Sequence, residues 1–185
     1  ACTVLSSGGG AYAYTTAPIT YVSVDIKPSV ELGVNIFNKV VSVEAYNEDG
    51  KKIIENTDFT KYDIDNAIRK LVLSSVSDGY INKDGSSFVQ ITTATDKEDV
   101  AVQLDKSLKE AADEALNNNH AKAKVETEDV ALTSRDEARK FGITSGRFNL
   151  IQNLQELDSN ITVEDYKESS VVDIQKKIIE LKNLY

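Results

Sequence analysis

Few side chains in this sequence have the types and spacing that catalysis needs. A hydrolytic triad requires a base that titrates near neutrality, and His120 is the single histidine, set in the polar run Asn117-Asn118-Asn119-His120 between a predicted helix and a predicted strand. It reads as a surface loop residue. Cys2, the single cysteine, stands near the amino end, so neither an internal disulfide nor a thiolate metal cluster can form. Asp25, Glu31 and Glu44 have the chemistry of a glycosidase carboxylate pair, yet they fall at polar positions of predicted strands, where solvated carboxylates are the ordinary outcome. The scattered acids show neither EF-hand spacing nor a His-Glu pairing, so no metal and no cofactor is expected. Neither Ser6-Ser7-Gly8-Gly9-Gly10 nor Gly85-Ser86-Ser87-Phe88 follows a strand and opens a helix, which leaves a phosphate cradle unsupported. One chemically distinct point remains, the peptide bond between Lys27 and Pro28. Proline cannot donate to a β-ladder, so Pro28 belongs at a bend or on an edge.

The elements around that bend are legible from periodicity. Val22, Val24 and Ile26 alternate with polar residues on one extended segment, Val30, Leu32, Val34 and Ile36 on a second, and Val41, Val43 and Ala45 on a third. Asn38-Lys39 sits where a hairpin turns the second strand into the third, and Asn47-Glu48-Asp49-Gly50 is a strong turn signal. From Asp63 the period becomes helical: Ile64, Ala67, Ile68, Leu71 and Val72 share a face, with Asp63 placed to cap the amino end and Gly79 just past the carboxyl end. Phe88 to Thr93 reads as a fourth strand. Asp96 opens a longer helix carrying Leu104, Leu108, Ala111, Ala112 and Ala115, and Ala121, Ala123 and Val125 mark a fifth strand. Beyond Asp129 the signals are helical, over Ser134 to Phe141, over Gly146 to Leu157, after the capping box of Thr162 and Asp165, and after Ser170. This order predicts an α+β fold with two helices on one face of the sheet, the ferredoxin-like, split βαβ plan that SEA-like domains use. The predicted organisation is a Gly/Ser-rich tether over 1–17 containing Tyr12 and Tyr14, an α+β domain over 18–128, and a small helical subdomain over 129–185 packed on it.

The stretch VDIKPSVELGVNIFNKVVSVEAYNEDG resembles the opening of the extracytoplasmic region of the RsgI-type anti-sigma-I factors, membrane proteins of Gram-positive bacteria. FGITSGRFNLIQNLQELDSNITVEDYKESSVVDI is similar to the same region. That family reads Asp-Ile-Asn-Pro-Ser-(Ile/Val)-Glu around the bend, and here Asp25, Ile26, Pro28, Ser29, Val30 and Glu31 keep that order while Lys27 replaces the asparagine. The resemblance implies that the Asn-Pro bond is where relatives cut themselves, the first strand then remaining attached non-covalently. It further implies a single-pass membrane protein with this domain outside the cell, a cytoplasmic part that holds a sigma-I-type factor, and release by membrane-bound proteases through regulated intramembrane proteolysis. An asparagine amide can attack its own backbone carbonyl to form a five-membered imide, and proline, lacking an N–H, blocks the competing ring closure. Lysine has no such amide, so self-cleavage is expected to be lost here, with no catalytic residue intact. A relative that lost cleavage naturally and a chain given lysine to keep it whole read alike.

Composition narrows the alternatives. The 185 residues are 41% hydrophobic, enough for a core, and 30 acidic against 21 basic residues give a net charge of -9. Phosphate neutralisation needs a clustered basic face, so a general nucleic-acid partner is not expected. No run approaches the roughly 20 apolar residues that span a bilayer, and a start at Ala1 suggests a piece of a longer protein. The alternative to a signalling domain is a passive carbohydrate-binding or adhesion module. Such modules present surface aromatics, whereas this chain has no Trp and scattered Tyr. A conventional peptidase lacks a nucleophile and base pair.

Overall fold

The computed structural model describes residues 15–184. Cys2, Tyr12, Tyr14 and most of the expected tether lie outside these residues. Strands β1 (Thr20–Asp25), β2 (Ser29–Val34) and β3 (Val40–Ala45) form an antiparallel meander. Helix α1 (Glu48–Asn56), a 3-10 turn (Phe59–Lys61) and helix α2 (Ile64–Ser77) carry the chain to β4 (Ser87–Ala94), which pairs antiparallel with β1. Helix α3 (Glu98–Asn118) then leads to β5 (Ala123–Val130), parallel to β4. Helices α4 (Leu132–Lys140), α5 (Ser145–Leu157), α6 (Val163–Tyr166) and α7 (Val171–Lys182) follow. The strand order β3-β2-β1-β4-β5 places the first strand at the centre of the sheet. Val24 of β1 is accordingly matched with Val30 on one side and Ile91 on the other.

The two faces of the sheet differ in chemistry. Val22, Val24, Val30, Leu32, Val89 and Ile91 point to one side, where they meet Ile64, Ile68 and Leu71 of α2 and Leu104 and Leu108 of α3 in a single apolar core. Each such side chain, fully buried, contributes roughly 1.5–3 kcal/mol. The other face carries Ser23, Asp25, Ser29, Glu31, Gln90 and Thr92, and it is also buried. Helices α4, α5 and α7 cover it, with a second apolar cluster formed among Ile143, Leu150, Ile151, Leu154, Ile174 and Ile178 and only Phe88 joining from the strands. The sheet is thus the middle of three layers.

The α+β class and the pair of helices over one face match the sequence reading. The α3 crossover joins the neighbouring strands β4 and β5, without the interleaved strand of a split arrangement. Asp63 caps α2 through Asn66 N–H, Ser170 caps α7 through Asp173 N–H, and Thr162 with Asp165 forms the expected capping box on α6. Asn38, at φ 57, turns β2 into β3. The turn expected at Asn47–Gly50 is instead the first turn of α1, because the Asn47 side chain accepts from Gly50 N–H and supplies the helix cap. Asp96 does not cap α3, which begins after Lys97; its carboxylate accepts from Leu132 N–H and pins the start of α4. Among the described residues no helix is long and apolar enough to cross a membrane.

Candidate functional site: the clamped bend between the first two strands

Ile26, Lys27 and Pro28 connect β1 to β2, and Ile26 N–H donates to the Pro28 carbonyl at 3.0 Å across the turn. Ile26 is buried in the apolar core, whereas the Lys27 side chain is 67% exposed. Its Nζ lies 3.5 Å from Asp49 Oδ2 and 5.3 Å from the centre of the Tyr80 ring. Tyr80 Oη donates to Asp49 Oδ1 at 3.0 Å. Burial pushes the Asp49 carboxyl up, but the hydrogen bonds from Tyr80 and Lys52 and the charge of Lys27 outweigh it and hold the group below the ordinary carboxylate value.

One side chain fixes the bend. Asn47 Oδ1 accepts from Ser29 N–H at 3.1 Å and from Gly50 N–H at 2.7 Å, and its Nδ2 donates to the carbonyl of Lys27 at 2.8 Å. The partners dictate the amide's orientation, since two N–H donors can face only the oxygen and a carbonyl only the nitrogen. The first turn of α1 therefore sits directly on the bend. A Cβ at Gly50 would lie 2.5 Å from the Ser29 carbonyl oxygen, so only glycine permits that approach.

Beneath the bend the polar face is closed by the C-terminal helices. Ser29 Oγ and Thr144 Oγ1 donate to the two oxygens of Asp25 at 2.7 Å each, and Arg147 Nη2 donates to Ser29 Oγ at 3.1 Å. Desolvation raises the pKa of the fully buried Asp25, against the opposing charge of Arg147 and both hydroxyl hydrogen bonds. Gly146 N–H donates to Ser23 Oγ at 3.2 Å, and a Cβ there would come 2.7 Å from Thr92 Oγ1, so α5 can rest this close to the sheet only with glycine. Further along β2, Glu31 stands directly opposite Glu44 of β3. Like charges in register repel, and two arginines one helical turn apart on α4 offset this. Arg135 makes a two-pronged contact with Glu31 at 3.0 and 2.6 Å while lying 3.4 Å from the centre of the Tyr21 ring, and Arg139 holds Glu44 at 2.6 Å.

The sequence-predicted residues are therefore placed as follows. Lys27 and Pro28 form the bend, Asp25 and Ser29 are bonded to each other beneath it, Ile26 anchors it in the apolar core, and Glu31 belongs to a separate ion pair with α4. Asp25 and Glu31 are buried structural acids and not the solvated strand carboxylates expected, because the C-terminal layer supplies hydroxyls and arginines to them. Asp25 is held by Ser29 and Thr144, Glu31 by Arg135 and Glu44 by Arg139. His120, at φ 52, is exposed in the loop between α3 and β5. Sequence reasoning missed Asn47, Arg135, Thr144 and Arg147. The first has a recoverable signal, an Asn preceding two acids, which marks a helix start as well as a turn.

The bend is thus clamped inside a three-layer α+β sandwich. Residues 19–153 match the family described as the anti-sigma factor RsgI-like central domain, and the chain belongs to that family. It is 31% identical over 173 residues to anti-sigma-I factor RsgI7 of Acetivibrio thermocellus, covering 94% of this chain and 32% of that protein. It is 26% identical over 168 residues to RsgI5 of the same organism, covering 87% and 35%, and 26% identical over 133 residues to anti-sigma-I factor RsgI of Bacillus subtilis, covering 69% and 33%. The chain thus spans about a third of the length of these relatives. These relatives are named as anti-sigma-I factors.

Proposed function

We propose that this domain is the extracellular regulatory segment of a membrane-anchored anti-sigma factor, and that the Lys27-Pro28 bend is the position at which such a domain parts its own chain or, with lysine present, keeps it whole. On this reading a cytoplasmic part holds a sigma-I-type factor, membrane-bound proteases complete the signal, and residues 129–185 act as a helical subdomain that secures the first two strands. The observation that carries the proposal is the 2.8 Å hydrogen bond from Asn47 Nδ2 to the Lys27 carbonyl, immediately before a proline nitrogen. A donor on that oxygen draws electrons from the carbonyl carbon and stabilises the negative charge that develops if a nucleophile adds there. The side chain at position 27 decides whether a nucleophile is present. Lysine offers an ammonium turned toward Asp49 and Tyr80. An asparagine there offers Nδ2: it forms a bond to its own carbonyl carbon, the bond to the Pro28 nitrogen breaks, and the amide proton passes to that nitrogen. The products are a fragment ending in a five-membered imide and a fragment beginning with Pro28.

Lys27→Asn tests the reading. Denaturing electrophoresis with mass spectrometry is expected to show two pieces meeting between residues 27 and 28, the shorter one lighter by one water than a free acid until the imide hydrolyses. A single intact mass after prolonged incubation refutes the proposal.

A further inference from the structure

We infer that the hairpin tip between β2 and β3 docks on a lipid bilayer, with Ile36 and Phe37 entering the zone between headgroups and acyl chains. Ile36 is 41% exposed and Phe37 60%, and they are the only consecutive pair of large apolar residues left in water among the described residues. The others, Val102, Phe141, Ile179 and Leu184, stand singly on or beside helices. Isolated apolar residues of that kind are ordinary, whereas a turn is the usual place for polar ones.

The tip is a fixed piece of backbone. Asn35 Oδ1 accepts from the N–H groups of Phe37 at 2.9 Å and Lys39 at 3.0 Å, and Ile64 N–H at the start of α2 donates to the Asn38 carbonyl at 2.9 Å. Asn38 closes the turn at φ 57. Ile36 and Phe37 are therefore displayed by an ordered turn, which reduces the entropy lost when they are covered.

Two observations select a bilayer as the occupant. The first is where the chain enters the domain: Asn35 Nδ2 donates to the Thr15 carbonyl, so the segment preceding Thr15 leaves from the base of the tip. The second is charge. In a chain with 30 acidic residues, neither 15–19 nor 35–39 contains one, and their single cation, Lys39, has Asp63 of the α2 cap 3.9 Å from its Nζ. Asp96, just beyond β4 at the same end of the sheet, is drawn toward the far edge by Leu132 N–H. The tip thus reaches headgroups without taking its own carboxylates out of water. This inference rests on the reading that the chain is membrane-anchored. One Phe and one Ile hold a free protein on a bilayer only feebly, but a tethered domain meets that surface at an effective concentration on the order of millimolar. Docking turns the Thr20 end of β1 toward the bilayer and sets the bend at its other end as much as roughly 20 Å above it.

Cys2 is the single cysteine and the chain has no tryptophan, so an anchor and a fluorescent reporter can each be placed at one position. The whole chain is coupled through Cys2 to maleimide lipid in phosphatidylcholine vesicles, with and without brominated acyl chains. The stretch from Cys2 to Thr15 then reaches up to about 45 Å and imposes no orientation by itself. In Phe37→Trp protein the emission is expected to move to the blue and to be quenched by the brominated chains. Ile179→Trp, beside Gly85 and Phe88 at the bend end of the sheet, is expected to show neither. Adding Ile36→Asp to Phe37→Trp, with the fold checked by circular dichroism, is expected to cut the quenching at least about tenfold, because a carboxylate must then leave water. No response at position 37, an equal response at 179, or quenching unmoved by Ile36→Asp overturns the inference. So does Phe37→Trp emission that is already blue without vesicles, which assigns the tip to a second copy if it fades on dilution, or to residues 1–14 if it persists until they are removed. Because the coupling supplies the bilayer, such a failure leaves the anchored reading standing; fractionation of the complete gene product with cell membranes tests that reading alone.

Discussion

Replacing Arg135 with alanine probes whether the C-terminal layer is bound to β2 by charge. Glu31 is 2% exposed and the Arg135 side chain 12%, so the pair is out of water, and truncating one partner of such a pair costs about 3–5 kcal/mol because the other charge is left uncompensated. Arg139 lies 3.6 Å from Glu31 and softens the loss, although it is 40% exposed and already holds Glu44. The contact of Arg135 with the Tyr21 ring is lost as well, a contribution of about 0.5–2 kcal/mol. These effects place Arg135→Ala near 3 kcal/mol of destabilisation, or about 6–12 °C in Tm for a chain of this size. Urea titration followed by circular dichroism measures the first and a thermal scan the second. The double variant Glu31→Leu/Arg135→Leu leaves no buried charge unpaired and is expected to recover most of the loss. A single variant within about 0.5 kcal/mol of the parent would mean the pair behaves as a solvated surface bridge. A double variant as unstable as the single one would mean that lost packing, not stranded charge, is responsible. Either result refutes the reasoning.

In the Lys27→Asn background, Asn47→Asp keeps the oxygen that accepts from Ser29 and Gly50 but removes the donor to the carbonyl of residue 27; scission is expected to slow about 100-fold or more, read as band half-lives of protein shown to be folded by circular dichroism. Asp25→Asn addresses pH. Because burial raises the folded-state pKa of Asp25 above its ordinary 3.8, the stability it contributes is complete below that value and lost as pH rises through the folded value. The variant, having no proton to lose, is expected to gain stability relative to the parent as pH rises above 3.8, and a difference that stays constant or moves the other way in urea midpoints counts against the assignment. Finally, Lys27→Asn protein that has been cut is expected to run as one species in size exclusion, with the 1–27 piece released only by denaturant.

The apolar half of this architecture could be read from the chain because it obeys two simple periods. Val22, Val24, Val30 and Leu32 alternate, Ile64, Ile68, Leu71, Leu104 and Leu108 repeat at helical spacing, and the two sets form one core. The polar half could not. Ser23, Asp25, Ser29 and Glu31 have the alternation of a solvent face, and nothing local distinguishes a carboxylate that meets water from one that meets Arg135 across 104 positions of sequence. The central position of β1 was hidden for the same reason, since pairing with β4 depends on a long crossover and not on any residue near β1. At the bend, Lys27-Pro28 was visible because proline announces itself, whereas Asn47 reaches back 20 positions to the Lys27 carbonyl and 18 to Ser29 N–H, and its neighbours Glu48-Asp49-Gly50 equally suit a turn.

The location of β1 changes what a break at the bend can accomplish. An edge strand meets one neighbour and can be peeled away one hydrogen bond at a time, whereas β1 is laddered to β2 and to β4 along its length. Its apolar side chains Val22 and Val24 lie in the core under α2 and α3, and its polar side chains Ser23 and Asp25 are bonded to the first turn of α5. A pull on the chain ahead of Thr20 therefore acts along the strand and loads both ladders in shear, so their bonds must fail together. Loss of β1 divides the sheet and uncovers both layers at once, which makes its removal comparable to unfolding the domain. On the proposed reading, scission at residue 27 would leave both ladders of β1 in place and would alter the route by which force leaves the strand. In the intact chain that route runs through Pro28 into β2 and the Glu31–Arg135 pair. In a cut chain it ends at the bend, and the shear strength of the two ladders, with the Asp25 and Ser23 contacts, alone sets the force at which the strand withdraws.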